Sequence, residues 1–446
     1  MDYAKEYQQK LLTPEAAAKL IQDGDRVDFG QGCAFPTTFE RALGNRVGEV
    51  KDVQLRSAIS VAPLQTVEMD PEMQSFTYNL WHCSGRDRKY VDQGRAFYEP
   101  MLFRHCGPYY RKGYVEVDVA VITVAPMDRF GNFSFGLNNC TTQDILDNAK
   151  TVIVEVNETM PVVFGLTGDR VHISQVDYIV ESTDPVATLP AAAPATPDDI
   201  AIANYIFPHL EDEITLQLGI GGMPDTLGTL IAESDLKDLG MHTELMASAY
   251  LKLYEAGKIT DRKKSIDRGK GIFGTCMGTR DLYDFLHYNS NILSAPMAYT
   301  NDPAVIKQHE KFVSINSCIS MDIYGQVCSE SAGTRHISGT GGQVDFVTGA
   351  FESPGGKAFL TMKSVSKDKA GNLRSNILPK FTDGSIITTP RTQAPFMVTE
   401  QGIVNLSGKP TWQRAEAVIS IAHPDFREDL IKAAEEQGIW RKSNKR

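Results

Sequence analysis

The stretch Gly240-Met241-His242-Thr243-Glu244 puts a carboxylate two positions after a histidine. Earlier in the chain lies a glycine-rich turn, Gly219-Ile220-Gly221-Gly222-Met223-Pro224. A glutamate, with an ordinary pKa of about 4.3, is ionised at neutral pH and needs no separate base to act as a nucleophile. Glycines let backbone N–H groups approach a ligand closely, and a helix starting there adds partial positive charge. If one helix and a short strand return the chain to the same sheet edge, Glu244 can meet a group held by those amides. Two plainer readings stay open. A histidine near an acid is common on a solvated face, and a tight βα turn need hold no ligand. A dinucleotide turn is a third, because Glu244 stands at about the distance of a ribose-binding acid. However, Pro224 occupies the last glycine position of G-x-G-x-x-G.

A third region is rich in small residues: Val313 to Asp322, Ser338-Gly339-Thr340-Gly341-Gly342, and Gly355-Gly356-Lys357. Loops hugging a ligand and purely structural bends are equally compatible with it. Ser338, Cys318 and His336 could suggest a nucleophilic triad, but no nucleophile-elbow pattern surrounds any of them. The seven cysteines are odd in number and scattered, without a C-x-x-C pair. A disulfide framework or zinc site is therefore not expected, no metal is required, and a reducing cytoplasm is the natural location.

Composition narrows the partners. The 446 residues are 42% hydrophobic and 23% charged, with 45 basic against 56 acidic side chains and a formal charge of −11. A nucleic-acid footprint needs the opposite balance. An anionic ligand would need local donors instead of a global positive field. The start, Met1-Asp2-Tyr3-Ala4-Lys5, has no apolar leader core. The most apolar run, Val117 to Pro126, is short and interrupted by Asp118, so no membrane span is expected.

The elements that must position Glu244 come in two similar sets. Leu189-Pro190-Ala191-Ala192-Ala193-Pro194-Ala195-Thr196-Pro197 reads as an extended connector that hands over to a helix capped by Thr196. On one side stands Val27-Asp28-Phe29-Gly30-Gln31-Gly32, then Pro36; on the other, Leu216-Gln217-Leu218-Gly219-Ile220-Gly221, then Pro224. A second echo, Met127-Asp128-Arg129-Phe130-Gly131-Asn132 against Met321-Asp322-Ile323-Tyr324-Gly325-Gln326, follows in the same order at similar separation. Together they indicate an internal duplication. The expected division is residues 1–189, a linker over 190–199, and a second domain over 200–446 that carries Glu244.

Strand-like runs at 26–30, 119–124, 151–156, 214–218 and 312–315 alternate with helical patterns at 14–22, 225–233 and 426–437. This alternation predicts two open α/β domains with largely parallel sheets and flanking helices. The repeat also places Gln31 and Gly32 where the second half has its glycine turn, making them candidates for holding an acid.

Several motifs in order carry a family resemblance: Gly219 to Pro224, His242-Thr243-Glu244, Tyr299-Thr300-Asn301-Asp302-Pro303, Ser338 to Phe346, Val398-Thr399-Glu400-Gln401-Gly402, and Ile421-Ala422-His423-Pro424-Asp425-Phe426-Arg427. With Val121 to Asp128 in the first half, they resemble the acetyl-CoA hydrolase/transferase family over nearly the whole chain. The resemblance is greatest to members that move CoA between acetate and butyryl or 4-hydroxybutyryl groups. It implies two α/β domains and an active-site glutamate, Glu244, that becomes acylated and then carries CoA as a thioester. It further implies that Gly219, Ile220, Gly221, Gly222 and Met223, with Ile319, Gly342 and Lys363, line the CoA site. Asn301 and Glu400 are implied near the reacting carboxylate. CoA is then a substrate with no permanently bound cofactor, the partners are acyl-CoA and short-chain carboxylic acids, and the assembly is a homodimer or homotetramer. Gln401 departs from the aromatic residue expected in Val-Thr-Glu-x-Gly. A hydrolase using the same intermediate is the nearest alternative, and a nicotinamide-dependent dehydrogenase a more distant one.

Overall fold

The computed structural model describes residues 2–191 and 193–444. The chain divides into two compact units. One holds the chain through Ala191 together with Glu244–Ser248 and Lys270–Asn301; the other holds the following stretch to Thr243, Ala249–Gly269 and the chain from Asp302 onward. The first division thus falls inside the proline-rich connector, of which Ala192 lies outside the described residues. Two later segments, however, pack with the first unit, so Glu244 belongs to it.

The first unit contains seven strands in one sheet: β1 (Arg26–Gln31), β2 (Val53–Ala58), β3 (Phe76–Leu80), β4 (Ala96–Tyr98), β5 (Val117–Val124), β6 (Ala149–Val156) and β7 (Tyr178–Glu181). Their order is β7-β6-β5-β1-β2-β3-β4, with every pair parallel. β5 is buried along its whole length, as its run of Val, Ile and Ala requires of a strand covered on both faces. Val119 and Val121 pack into one hydrophobic cluster, while Ala120, Ile122 and Val124 pack into another. Each such side chain contributes roughly 1.5–3 kcal/mol on burial. The same unit contains Gly271–Cys276, parallel to Ile292–Ser294.

In the second unit β8 (Thr215–Leu218), β9 (Gly240–Met246), β10 (Phe312–Ser317), β11 (Lys357–Thr361), β12 (Phe396–Thr399) and β13 (Gly402–Asn405) follow the order β13-β12-β11-β10-β8-β9. All pairs are parallel except the terminal hairpin of β12 and β13. β9 starts in this unit and leaves it after Thr243. Helices flank both sheets, among them α1 (Thr37–Gly44), α2 (Gly222–Glu233), α3 (Gln343–Glu352) and α4 (Thr411–Ser420). This is the expected mixed α/β architecture with mostly parallel sheets. The helix before β1 is shorter than expected, Pro14–Ala18, capped as anticipated by the Thr13 hydroxyl. The C-terminal one begins with a 3-10 turn at Pro424–Phe426 and runs over Arg427–Glu436.

The second sequence echo is an identical turn in both units. Asp128 accepts from the amides of Phe130 (2.8 Å) and Asn132 (2.9 Å), and Gly131 sits at φ 83°. Asp322 accepts from Tyr324 (3.0 Å) and Gln326 (2.9 Å), with Gly325 at φ 84°. The acid organises the loop and the glycine takes the left-handed conformation, so the shared letters reflect one backbone geometry. No helix among the described residues is long and apolar enough to cross a membrane.

Candidate active site

Glu244 follows the first part of β9, in which His242 and Thr243 are fully buried. The side-chain amide of Asn301 donates to its Oε2 at 2.6 Å. Asn301 is itself buried, and the Thr300 hydroxyl donates to its Oδ1 at 2.9 Å. The carboxylate settles which end of the amide faces it, because it only accepts, so Nδ2 points to Glu244 and Oδ1 is left to accept from Thr300. Such a charge-assisted bond favours the ionised carboxylate.

Gln31 ends β1, is buried, and points its Nε2 at the Cys140 sulfur, 3.0 Å away. Burial, reinforced by the negative charge of Glu244, pushes the Cys140 thiol well above its ordinary value, so it stays neutral. The main chain locks these groups together. Cys140 N donates to Gly274 O, Met297 N to Cys140 O, and Asn301 N to Met297 O, at 3.3, 2.8 and 3.0 Å. Gly274 leaves the necessary room. A Cβ there would stand 3.0 Å from the Glu244 carbonyl oxygen and 3.7 Å from the Cys140 sulfur.

The structure thus brings Gln31, Asn301 and Glu244 into one neighbourhood, in which Gln31 and Asn301 are buried and Glu244 is half-buried. Thr300, part of the Tyr299 to Pro303 motif but without a role there, completes it together with Cys140 and Gly274, to which the sequence reading assigned no part in the site. Cys140 was one scattered cysteine among seven, and no spacing links positions 140, 244, 274 and 300.

The remaining expected residues lie in the second unit, most of them at the carboxyl ends of parallel strands, where open α/β sheets bind ligands. Gly219 follows β8, Ile319 follows β10, Lys363 follows β11 and Glu400 follows β12. Gly221 sits at φ 119°, which only glycine adopts easily, and α2 starts at Gly222 without a side-chain cap. Ile220 is half exposed and Met223 buried. Gly342 is the residue before α3. Lys363 Nζ donates to the Thr196 hydroxyl (3.0 Å) and pairs with Asp198 (3.4 Å). Glu400 is tied to the amide and hydroxyl of Ser364 and to Gln401. Burial raises its carboxyl, but those bonds outweigh burial and hold it below the usual carboxylate range. Glu400 is thus bonded to Ser364 and Gln401, whereas Asn301 is the residue bonded to Glu244.

Three sequence alternatives resolve structurally. His336 Nε2 faces the carbonyl of Ser338 at 2.6 Å, and the Ser338 hydroxyl donates to Ser329 O, so neither belongs to a triad. Gly356 is packed against the end of α3, where a Cβ would strike Ala350 O, so that glycine pair is a structural bend. His242 is no solvated residue. Its Nδ1 lies 3.3 Å from His309 Nε2, and with Asp267 these residues place ligand-type atoms within 4.8 Å of one another. The buried Lys264 lies close enough to His309 to lower its pKa, although burial and His242 matter more; a nearby ammonium works against a further cation.

The family model of the acetyl-CoA hydrolase/transferase N-terminal domain matches residues 1–190, and that of the C-terminal domain matches 278–434. The chain is 46% identical over 442 residues to a probable butyrate:acetyl-CoA coenzyme A-transferase of Syntrophomonas wolfei, covering 99% of this chain and 98% of that one. It is 45% identical to the butyryl-CoA:acetate CoA-transferase of Anaerostipes caccae, with 100% of both chains covered. The solved structure of RipA from Yersinia pestis matches with a TM-score of 0.88 at 31% identity, over 98% of this chain and 100% of that chain. Fold and relatives define an α/β enzyme acting as a CoA-transferase. The chain belongs to the acetyl-CoA hydrolase/transferase family.

Proposed function

We propose that this enzyme moves CoA between a short-chain acyl-CoA, such as butyryl-CoA or 4-hydroxybutyryl-CoA, and a carboxylic acid such as acetate, through Glu244. The observation that carries the reading is the half-buried carboxylate of Glu244 held by Asn301 at 2.6 Å, beside the neutral Cys140 and Gln31. The names of the two bacterial relatives support the acyl class.

In the proposed cycle a Glu244 oxygen attacks the thioester carbonyl, the C–S bond breaks and CoA thiolate leaves, giving an acyl-glutamyl anhydride. The thiolate then attacks the Glu244 carbonyl carbon and releases the first acid as its carboxylate. What remains is a glutamyl-CoA thioester. An incoming carboxylate attacks that carbon and displaces thiolate. The thiolate then attacks the new acyl group, restoring the Glu244 carboxylate and releasing the new acyl-CoA. No net proton transfer is needed. CoA would lie along the strand ends bearing Gly219 to Met223, Ile319, Gly342 and Lys363. The Gly221 and Gly222 amides are assigned to the oxyanions, at roughly 3–4 kcal/mol per good donor. Gln31, Asn301 and Glu400 are assigned to the acid and nucleophile environment.

The test is intact and peptide mass measurement after acyl-CoA is added without an acceptor acid. A CoA-sized adduct on the Glu244 peptide, released by hydroxylamine, is expected. An adduct that persists in Glu244→Ala would overturn the assignment. Comparing thioester loss with and without acetate separates transfer from hydrolysis.

A further inference from the structure

The second unit contains a cavity of about 590 Å³, within the range of small-molecule sites. It is remote from the strand ends that carry Lys363 and Glu400. Gly342 stands before the start of α3, whereas Val347 and Phe351 wall the cavity from the middle and the end of that helix, about 7 Å and 13 Å further along it. Pro395 lines it just ahead of β12, at the opposite end of that strand from Glu400.

Its charge is the reverse of the chain's. Arg391, Lys409 and Arg414 line it against one acid, Glu352, which is already paired with Lys307 at 3.2 Å. Among the described residues, Arg391 and Lys409 form no ion pair with a carboxylate, and Arg391 stacks on the Tyr324 ring instead. Buried Arg414 donates to the carbonyls of Tyr324, Leu406 and Arg391 at 2.7–2.8 Å, pinning together the loops that shape the cavity; Asp322 is the acid whose field reaches it. A cluster of cations in a chain of formal charge −11 attracts anions locally.

The loop that delivers Lys409 leads into an uncapped helix start, with Pro410, which has no N–H, at the N-cap. After β13 the chain runs Ser407-Gly408-Lys409-Pro410-Thr411 and turns into α4. Gly408 is at φ 69° with open space beside it, and no side chain caps the start of α4. The first N–H groups of a helix lack partners within it and favour an anion. The spacing is not that of G-x-x-x-x-G-K-[ST], but the order of strand, left-handed glycine, lysine and helix start is the same. Phe351 exposes 68% of its surface at the cavity, offering a ring face to a planar base.

We infer that this cavity is a second ligand site, separate from the CoA-transfer centre, for a nucleoside polyphosphate. Its phosphates lie against Lys409, Arg391 and the first turn of α4, and its base lies on Phe351. This inference does not rest on the role of Glu244.

The experiment is isothermal titration of the full chain with ATP in the presence of saturating CoA. One site per chain is expected, weakened at least about tenfold in Lys409→Glu and Arg391→Glu. Phe351→Ala should weaken ATP but leave inorganic phosphate unaffected, and CoA-transfer rates without ATP should match the parent in all three variants. Loss of ATP binding when CoA is present would put the nucleotide in the CoA site and overturn the inference. So would inorganic phosphate binding as tightly as ATP, or ATP binding unchanged in the charge-reversed variants. A lower oligomeric state of those variants by sedimentation would reassign the face to a second copy of the chain.

Discussion

The Asn301 amide donates to the Glu244 carboxylate at 2.6 Å and accepts at its other end from the Thr300 hydroxyl. Two consecutive residues thus hold a group far away in sequence. A donor held this way costs no reorganisation when charge moves onto or off the carboxylate. Asn301→Ala is expected to lower kcat by about 10²-fold while leaving the KM for acyl-CoA nearly unchanged. Steady-state kinetics with butyryl-CoA and acetate measure this, and an unaltered kcat would remove Asn301 from the machinery.

Gly274 tests placement instead of chemistry. A methyl group there would press on the Glu244 carbonyl at 3.0 Å and on the Thr300 hydroxyl at 3.3 Å. Gly274→Ala should shift Glu244 by tenths of an ångström and, on the proposed mechanism, cost on the order of 10-fold to 10²-fold in kcat. Cooperative unfolding should be retained. Normal turnover in a folded variant would show that the position of Glu244 does not limit the reaction.

Cys140 should resist alkylation in the native enzyme at pH 8, because burial and the adjacent Glu244 charge both oppose its thiolate. Removing that charge in Glu244→Gln lowers the thiol pKa and should speed labelling several-fold. Peptide mass spectrometry after timed iodoacetamide exposure reads the rate. Equal rates in parent and variant would mean the two groups do not sense each other.

Glu155 offers a pH-dependent stability test. Burial pushes its carboxyl up to about 7, against the amides of Phe39 and Thr38 that it accepts from at the start of α1. The folded chain therefore holds a proton that the unfolded chain, with a value near 4.5, releases. The resulting stabilisation is complete below about pH 4.5 and is lost as pH rises through 7. Glu155→Gln removes this titration, so the fall in Tm between pH 5 and pH 8 should become shallower by a few °C. Parallel curves for the two proteins would contradict it.

Local features were legible in the sequence because local physics sets them. The β-branched run of Val119 to Val124 had to be a doubly covered strand. Thr13 and Thr196 announced helix starts through capping, and the Asp-x-x-Gly turns at 128 and 322 showed the repeat through one hydrogen-bond pattern. The glycine turn at 219–222 could be placed between a strand and a helix. Family motifs pointed to Glu244 and Asn301. Thr300 lay inside a family motif without a role of its own, and Cys140 and Gly274 carried no signal, because what matters about them is distance to a residue far along the chain.

Alternation of strands and helices, burial patterns and capping residues are properties of short windows, so the sequence alone determined the α/β class and the family. Only tertiary structure decided that Glu244–Ser248 and Lys270–Asn301 pack with the first unit, that Glu400 is bonded to Ser364, and that a neutral thiol stands beside Glu244. Those outcomes depend on side chains meeting across long stretches of chain, and no periodicity within a window records them.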